Sequence, residues 1–460
     1  MRDTLPPPLE PTLDALAAFV ADTPERAIPR DARDHAPWVL ADTVGAILGG
    51  ATEPETRRLA EQAARAPGPA TVLGPGFPRL EPWWAIVANG TSGTMLEQDE
   101  GNRFARGHPA IHVFPAALAE AERAEASGET LLAAFILGYD VAARLGGAAP
   151  VAPGFHMHGI HGVVGAAAAV ARIRGLDRKA TARALAVAAG LTLATSWRTA
   201  LGGATVRNLY AGVGGANGWL AVDLAEAGFT GLPDMLTETF SRASGRGLDQ
   251  AFALDELGRR FEVTRNYFKL YACCRFNHAA LEALEAVLET GPISPGEIGT
   301  IRVATYGAAA TMSDRDPVGV LGAKFSIPYA LAARLVLGHA GPDAFREPAL
   351  SDPRIRALAS RVEVVEDPAL TALGPERRPA RVDVVFHDHR RASRQVDVAS
   401  GEFDRPYPRA LLAAKFAGLT EPILDSEGAG RAFALCLGVE RLRDARALTG
   451  GLRALAAVVR

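Results

Sequence analysis

The sequence predicts a mainly α protein with an α+β insertion. A large all-helical domain is built from residues 1–267 and 401–460, and a smaller α+β domain spans 268–400. Three observations predict this division. Down to about residue 265, apolar side chains recur at helical spacing and strand signals are weak, so the first half reads as all-α. Near residue 297 the pattern changes to alternation of apolar and polar residues, as half-buried strands show. From Pro408 onward helical spacing returns, so the second domain reads as an insertion into the first.

The opening helices read over 12–22 and 33–50, the second closing on Gly49-Gly50 as a C-cap. A helix near 53–66 follows, then a Pro/Gly-rich connector from Pro67 to Pro82. The apolar helix over 83–96 carries Asn89-Gly90, which marks a bend. Helices then span about 109–125, with a kink at Pro115, and 129–144. The run after Gly162, Val-Val-Gly-Ala-Ala-Ala-Ala-Val-Ala, is small enough for close helix–helix approach and reads as a central buried helix. Helices over 177–195 and 208–227 flank a polar, Gly-containing loop at 196–207. In the second domain, strands begin near Glu297, Ser360, Ala380 and Arg391. The last two face each other across Asp388-His389-Arg390 as a hairpin, and helices at 278–290, 324–338 and 353–360 intervene.

A chain of 460 residues exceeds one ordinary core. A 48% hydrophobic fraction and a net charge of -3 describe a soluble globular protein, and scattered basic residues outnumbered by acids exclude a nucleic-acid or polybasic membrane binder. Cys273, Cys274 and Cys436 form neither a disulfide framework nor a Cys-x-x-Cys pair, which fits a reducing, cytoplasmic setting. The first residues hold no apolar core of signal-peptide length, and runs such as 159–171 are too short for a membrane span.

The chemistry concentrates in residues 97–122. Glu97, Asp99, Glu100, Arg103, Arg106, His108 and His112 fall within sixteen positions, followed by an abruptly apolar helical run. Gly101, Gly107 and Pro109 make the polar half a loop, and Pro109 suits the first helical turn, where a missing N–H costs nothing. His108 then stands at the helix mouth, beside unpaired backbone donors and the positive end of the dipole. Carboxylates, guanidinia and an imidazole so placed suit acid–base work on an anion.

Ten segments in order resemble the 2-methylcitrate dehydratase (MmgE/PrpD) family. They include Leu40-Ala-Asp-Thr-Val-Gly, the acidic cluster ending at Asp99, His108-Pro109, Gly138-Tyr-Asp-Val-Ala-Ala-Arg and Gly154-Phe-His. Thr205-Val-Arg-Asn-Leu-Tyr-Ala-Gly, Lys269-Leu-Tyr-Ala-Cys-Cys-Arg-Phe-Asn-His and Lys324-Phe-Ser-Ile-Pro-Tyr continue the series. The resemblance implies a helical domain with an α+β lid, a homodimer, and a metal-independent, cofactor-free lyase of the hydro-lyase type acting on a small di- or tricarboxylate. Epimerisation or decarboxylation of a similar acid, or polycarboxylate binding without turnover, are the alternatives. All these reactions move a proton at a carbon beside a carboxylate, which asks for a near-neutral base and fixed cations.

On that pattern His108 and His278, one from each domain, form the acid–base pair, with Asp99 orienting His108. Arg103, Arg207, Lys269 and Arg275 are the groups expected to grip carboxylates, and His156 and Tyr329 complete the substrate set. Arg207 stands where the family usually has lysine and cannot shuttle a proton at neutral pH. That change, and the Asn102-Arg103 and Arg106 insertions in the acidic loop, weigh against methylcitrate and toward a related hydroxy- or unsaturated polycarboxylate. A rival reading makes His156, His158 and His161 a metal site with Glu97, Asp99 or Glu100. The Gly212-Val-Gly-Gly run follows no strand, so it reads as helix packing rather than a nucleotide loop.

Overall fold

The structure, a computed structural model, describes residues 8–458 apart from 290 and 292. Helices Pro82–Met95, Pro109–Ala124, Gly128–Ala148, His161–Ile173 and Val206–Glu226 pack against one another as the centre of the helical part. Gly128–Ala148 is apolar and long enough to cross a membrane, but 94% of its most apolar window is buried against its neighbours. Small residues set the helix spacing. A Cβ on Gly212 would stand 2.4 Å from the Val87 carbonyl, and one on Gly218 would stand 2.3 Å from the Val163 carbonyl. The Gly212 run is therefore packing, as its sequence context suggests.

Asn89-Gly90 makes no bend; Pro82–Met95 runs unbroken through it. The tertiary structure uses both residues otherwise. Asn89 donates to the Thr71 carbonyl at 2.9 Å and accepts from the Leu73 amide at 2.8 Å. Gly90 leaves room for the crossing Val206–Glu226 helix, whose Gly212 backbone a Cβ would meet at 2.5 Å. Pro115 likewise lies inside the continuous Pro109–Ala124 helix. The expected loop at 196–207 contains a short helix, Trp197–Leu201.

The all-α reading of the first half needs two corrections. Pro67–Thr71 pairs antiparallel with Arg79–Leu80, and Gly101–Asn102 pairs with Asn266–Tyr267. Ladders this short carry too few residues for alternation to register. The second ladder matters for function, because it ties the acidic loop to Tyr267. In the α+β region the sheet order is Val362–Glu366, Ile298–Thr305, Ala380–Phe386, Arg391–Val396. The first pair is parallel and the others antiparallel, with the expected hairpin closing the last two.

Buried apolar side chains form two clusters. One runs from Leu13 to Phe268 and resumes from Phe416 to Ala456, where Arg409–Leu437 packs on Arg30–Gly50. The other gathers residues between Ala272 and Ala399, together with Ala200. The Trp197–Leu201 helix thus leans on the second core although the chain around it belongs to the first. Polar contacts lock the two parts together: Lys324 Nζ donates to the Met95 carbonyl at 2.6 Å, and Gln98 donates to the Leu270 carbonyl at 2.9 Å.

Candidate active site

A pocket lies between the two cores. Glu97, His108, His156 and Arg207 line it from one side, and Cys274, Arg275, Phe325 and Arg378 from the other. Its inner compartment has about 20 Å3 of free space, roughly room for one water. Four guanidinium groups border it (Arg106, Arg207, Arg275, Arg378), and Glu97 is the one carboxylate among its lining residues. Such a surplus of cations at a buried surface favours an anion.

His108 caps the start of Pro109–Ala124, with Pro109 in the first turn. Its Nδ1 lies 2.6 Å from the Glu100 carbonyl and 3.0 Å from Asp99 Oδ2. Both neighbours are acceptors, which assigns the proton to Nδ1 and leaves the Nε2 lone pair for the pocket. Asp99 is itself held by Lys269 at 3.1 Å. Burial alone would raise the Asp99 carboxyl, but Lys269, His108 and Arg207 hold it well below the usual carboxylate range. Burial likewise works against the Lys269 ammonium, yet Asp99 and Glu97 push it above its ordinary value. At neutral pH this centre is a fixed carboxylate and a fixed ammonium beside the His108 imidazole.

Three more histidines surround His108. His112 is locked: Nδ1 donates to the His108 carbonyl at 2.9 Å and Nε2 accepts from the Gly159 amide at 2.9 Å. Burial lowers it to about 4, so it stays neutral. His156 stacks on Trp197 with ring centres 5.5 Å apart. The Arg207 Nε and the His158 amide each lie 3.1 Å from its nitrogens, but a neutral imidazole has one ring lone pair, so these two donors compete. His158 is buried with both ring nitrogens unpartnered, its ring 4.8 Å from that of His108.

The rival metal reading meets a different set of side chains. His161 packs against Phe240, whereas Asp99, His108 and His158 bring ligand atoms within 4.8 Å of one another. The local chemistry does not suit a divalent ion, because Lys269 already neutralises Asp99 and the neighbouring guanidinia would repel a second cation.

The carboxylate-gripping set divides. Arg207 pairs with Glu97 and lies over the Phe325 ring, with the rest of its fork toward the pocket. Arg275 spends its donors on the Ala399 and Ser400 carbonyls, Glu402 and His278, and stacks 4.7 Å over Tyr267. Arg103 points away, to Asp404 at 2.9 Å and Glu402 at 3.8 Å, and borders neither compartment of the pocket. Tyr329 is also elsewhere: its hydroxyl donates to the Ala344 carbonyl at 2.9 Å inside the second core.

His278 does not line the pocket opposite His108. It is fully buried, with Nδ1 accepting from Arg275 at 3.2 Å and Nε2 facing the Cys273 carbonyl at 3.3 Å. Burial, then the charges of Arg275 and Lys269, keep it neutral. Both nitrogens are occupied, so it positions Arg275.

Two cations lie outside the expected carboxylate-gripping set. Arg106 and Arg378 line the pocket, and neither forms an ion pair among the described residues. Arg106 is left-handed at φ 52, as is Glu97 at φ 54. Non-glycine residues held there cost free energy and cluster at functional sites. Burial and the nearby charges of Arg378 and Arg246 lower the Arg106 guanidinium, the mark of a cation without a counterion. Arg378 comes from an unpatterned loop; for Arg106 the only signal was membership of the acidic loop.

Fold and pocket together define a helical protein with an α+β part and a buried, cation-lined pocket at their junction. The MmgE/PrpD N-terminal domain matches residues 14–249 and the MmgE/PrpD C-terminal domain residues 271–438, so the chain belongs to the MmgE/PrpD family. The cis-aconitate decarboxylase of Aspergillus terreus is 25% identical over 448 residues, covering 91% of each chain. The cis-aconitate decarboxylase-like protein oryM of Aspergillus oryzae is 26% identical over 467 residues, covering 93% of this chain and 94% of its own. The human cis-aconitate decarboxylase is 25% identical over 456 residues, covering 92% and 90%.

Proposed function

We propose that this protein is a lyase for a small unsaturated polycarboxylate, with His108 transferring the proton at a carbon beside a carboxylate. The observation that carries the reading is the His108 tautomer: Nδ1 held by the Glu100 carbonyl and Asp99, Nε2 free at a cation-lined pocket. Arg106, Arg207, Arg378 and Lys269 supply charge for the substrate carboxylates and for the carbanion-like state formed between them.

Decarboxylation is favoured over the dehydration expected first. Loss of carbon dioxide breaks one carbon–carbon bond and leaves the electron pair conjugated with a remaining carboxylate. His108, having taken a solvent proton at Nε2 beside the Asp99 carboxylate, delivers that proton to carbon and returns to its Nδ1–H form. Dehydration needs a base for the C–H and a second group to protonate the departing hydroxyl, and His278 has no nitrogen to spare for that task. The relatives named as cis-aconitate decarboxylases support the same choice. The test is proton NMR in deuterium oxide with cis-aconitate, citrate, malate and tartrate. Carbon dioxide release with deuterium at the new C–H is the expected result; water loss from a hydroxy acid would return the assignment to a hydro-lyase. Absence of exchange on every acid, with ligand-induced stabilisation, would make it a polycarboxylate-binding protein. The homodimer belongs to the same proposal and is checked by light scattering.

A further inference from the structure

The inner compartment is the smaller of two that share lining residues. Arg106, Met157, Trp197, Phe276 and Arg378 also border an outer chamber of about 630 Å3. A space of that size is what a drug-sized ligand fills, well beyond the needs of a small polycarboxylate. Its walls are mainly apolar: Val151, Ala152 and Phe155 on one side, Tyr306 and Ala308 on the other. Of the polar groups there, Arg377 pairs with Asp397 at 3.6 Å and Thr311 donates to the Ala308 carbonyl at 2.7 Å, whereas the Tyr306 hydroxyl and His161 Nε2 are buried without a hydrogen-bond partner among the described residues. Arg106 and Arg378, which have no carboxylate partner among the described residues, sit at the neck shared by both compartments, where Arg378 also donates to the Arg103 carbonyl at 3.1 Å. An anion gripped at that neck places whatever it carries in the apolar chamber.

We infer that the outer chamber is a binding subsite for an apolar substituent, and that the preferred ligand is a polycarboxylate bearing an alkyl chain of several carbons. The chain's carboxylates lie at the arginine neck and the inner cations, and its methylenes lie against Phe155, Trp197, Phe276 and Tyr306. The inference deepens the proposed function and rests on the same pocket, but its binding arm is independent of turnover.

The experiment is calorimetric titration of the full chain with succinate and with 2-methyl-, 2-butyl- and 2-hexylsuccinate. Affinity is expected to rise with chain length by up to about fourfold per methylene, the equivalent of ~0.8 kcal/mol for each buried CH2. Ala308→Trp fills the chamber from an exposed position on its wall, and Ala152→Trp fills it from the opposite wall. Either one is expected to flatten the gain, measured as the ratio of hexyl to unsubstituted affinity. A series that is flat in the wild-type chain, or a gain that both tryptophan variants retain, overturns the inference. Turnover is followed separately with alkyl-substituted cis-aconitates. Chain-dependent binding without turnover of any acid would sink the lyase reading and leave the subsite standing; turnover of cis-aconitate with a flat series would do the reverse.

Discussion

Asp99 and Asp140 are both fully buried carboxylates facing a buried cation, and their surroundings drive them in opposite directions. Asp140 pairs with Arg144, accepts from the Glu262 amide at 2.6 Å, and has the Glu262 carboxylate nearby. Burial raises it to about 6, which Arg144 only partly offsets. Arg144 in turn donates to the Ala253, Asp255 and Arg260 carbonyls, so the pair pins the 253–262 segment that leads into Tyr267. Asp99 has Lys269, His108 and Arg207 around it and is held well below the usual range. A cation paired with one carboxylate and spending its remaining bonds on three backbone carbonyls describes a strut. A surplus of cations with donors left over describes a place prepared for a further negative charge.

Substitution separates the two most sharply. His108→Ala and Asp99→Asn are expected to lower the proton-exchange rate on cis-aconitate by about 10²–10⁴-fold. His108→Ala keeps its melting transition, and Asp99→Asn, which leaves Lys269 buried without its carboxylate, melts lower as well. Asp140→Asn leaves Arg144 buried without its carboxylate and is expected to destabilise the fold by about 3–5 kcal/mol in urea titration, with activity per folded molecule largely kept. A strong rate loss in Asp140→Asn without destabilisation would erase the distinction.

A pH titration sharpens it further. Glu100 is buried beside Asp99, accepting from the Ala110 amide and the Tyr139 hydroxyl, and burial raises its carboxyl from 4.5 to about 8. Between those values the folded chain holds a proton that the unfolded chain has lost. Stability therefore falls as pH rises from 4.5 toward 8, by up to about 1.4 kcal/mol per pH unit from this group. Glu100→Gln, which cannot ionise, is expected to flatten that slope in melts across the range. An unchanged slope would show that Glu100 is ionised in the fold.

A smaller effect is expected at His278. His278→Ala loosens Arg275 without touching the reacting atoms, so KM is expected to rise and the pH profile of kcat to keep its shape. A shifted profile would return His278 to proton transfer. The smallest change is Tyr329→Phe, which removes one hydrogen bond inside the second core: about 1 kcal/mol in denaturant, with activity within about twofold.

Which site residues were legible follows from how far each lies from its partners along the chain. Asp99 and His108 share one loop ahead of one helix, so spacing alone placed them at the same mouth. His156, Arg207 and Lys269 needed the family resemblance to join them, because the contact between Lys269 and Asp99 spans 170 residues. Arg103 and Tyr329 carried suitable chemistry, but their donors turn to Asp404 and the Ala344 carbonyl. Arg378 had no local pattern at all, and only the approach of its loop to Tyr267 makes it part of the pocket.

By itself the sequence determined the helical core, the α+β hairpin and sheet strands, and the helix-mouth histidine, because apolar period, turn residues and proline position are local properties. The tertiary structure decided what Asn89-Gly90 does, which arginines remain unpaired, and which histidine keeps a free nitrogen. Those outcomes depend on which donors and acceptors distant segments bring within hydrogen-bond reach, and one-dimensional spacing carries no record of that.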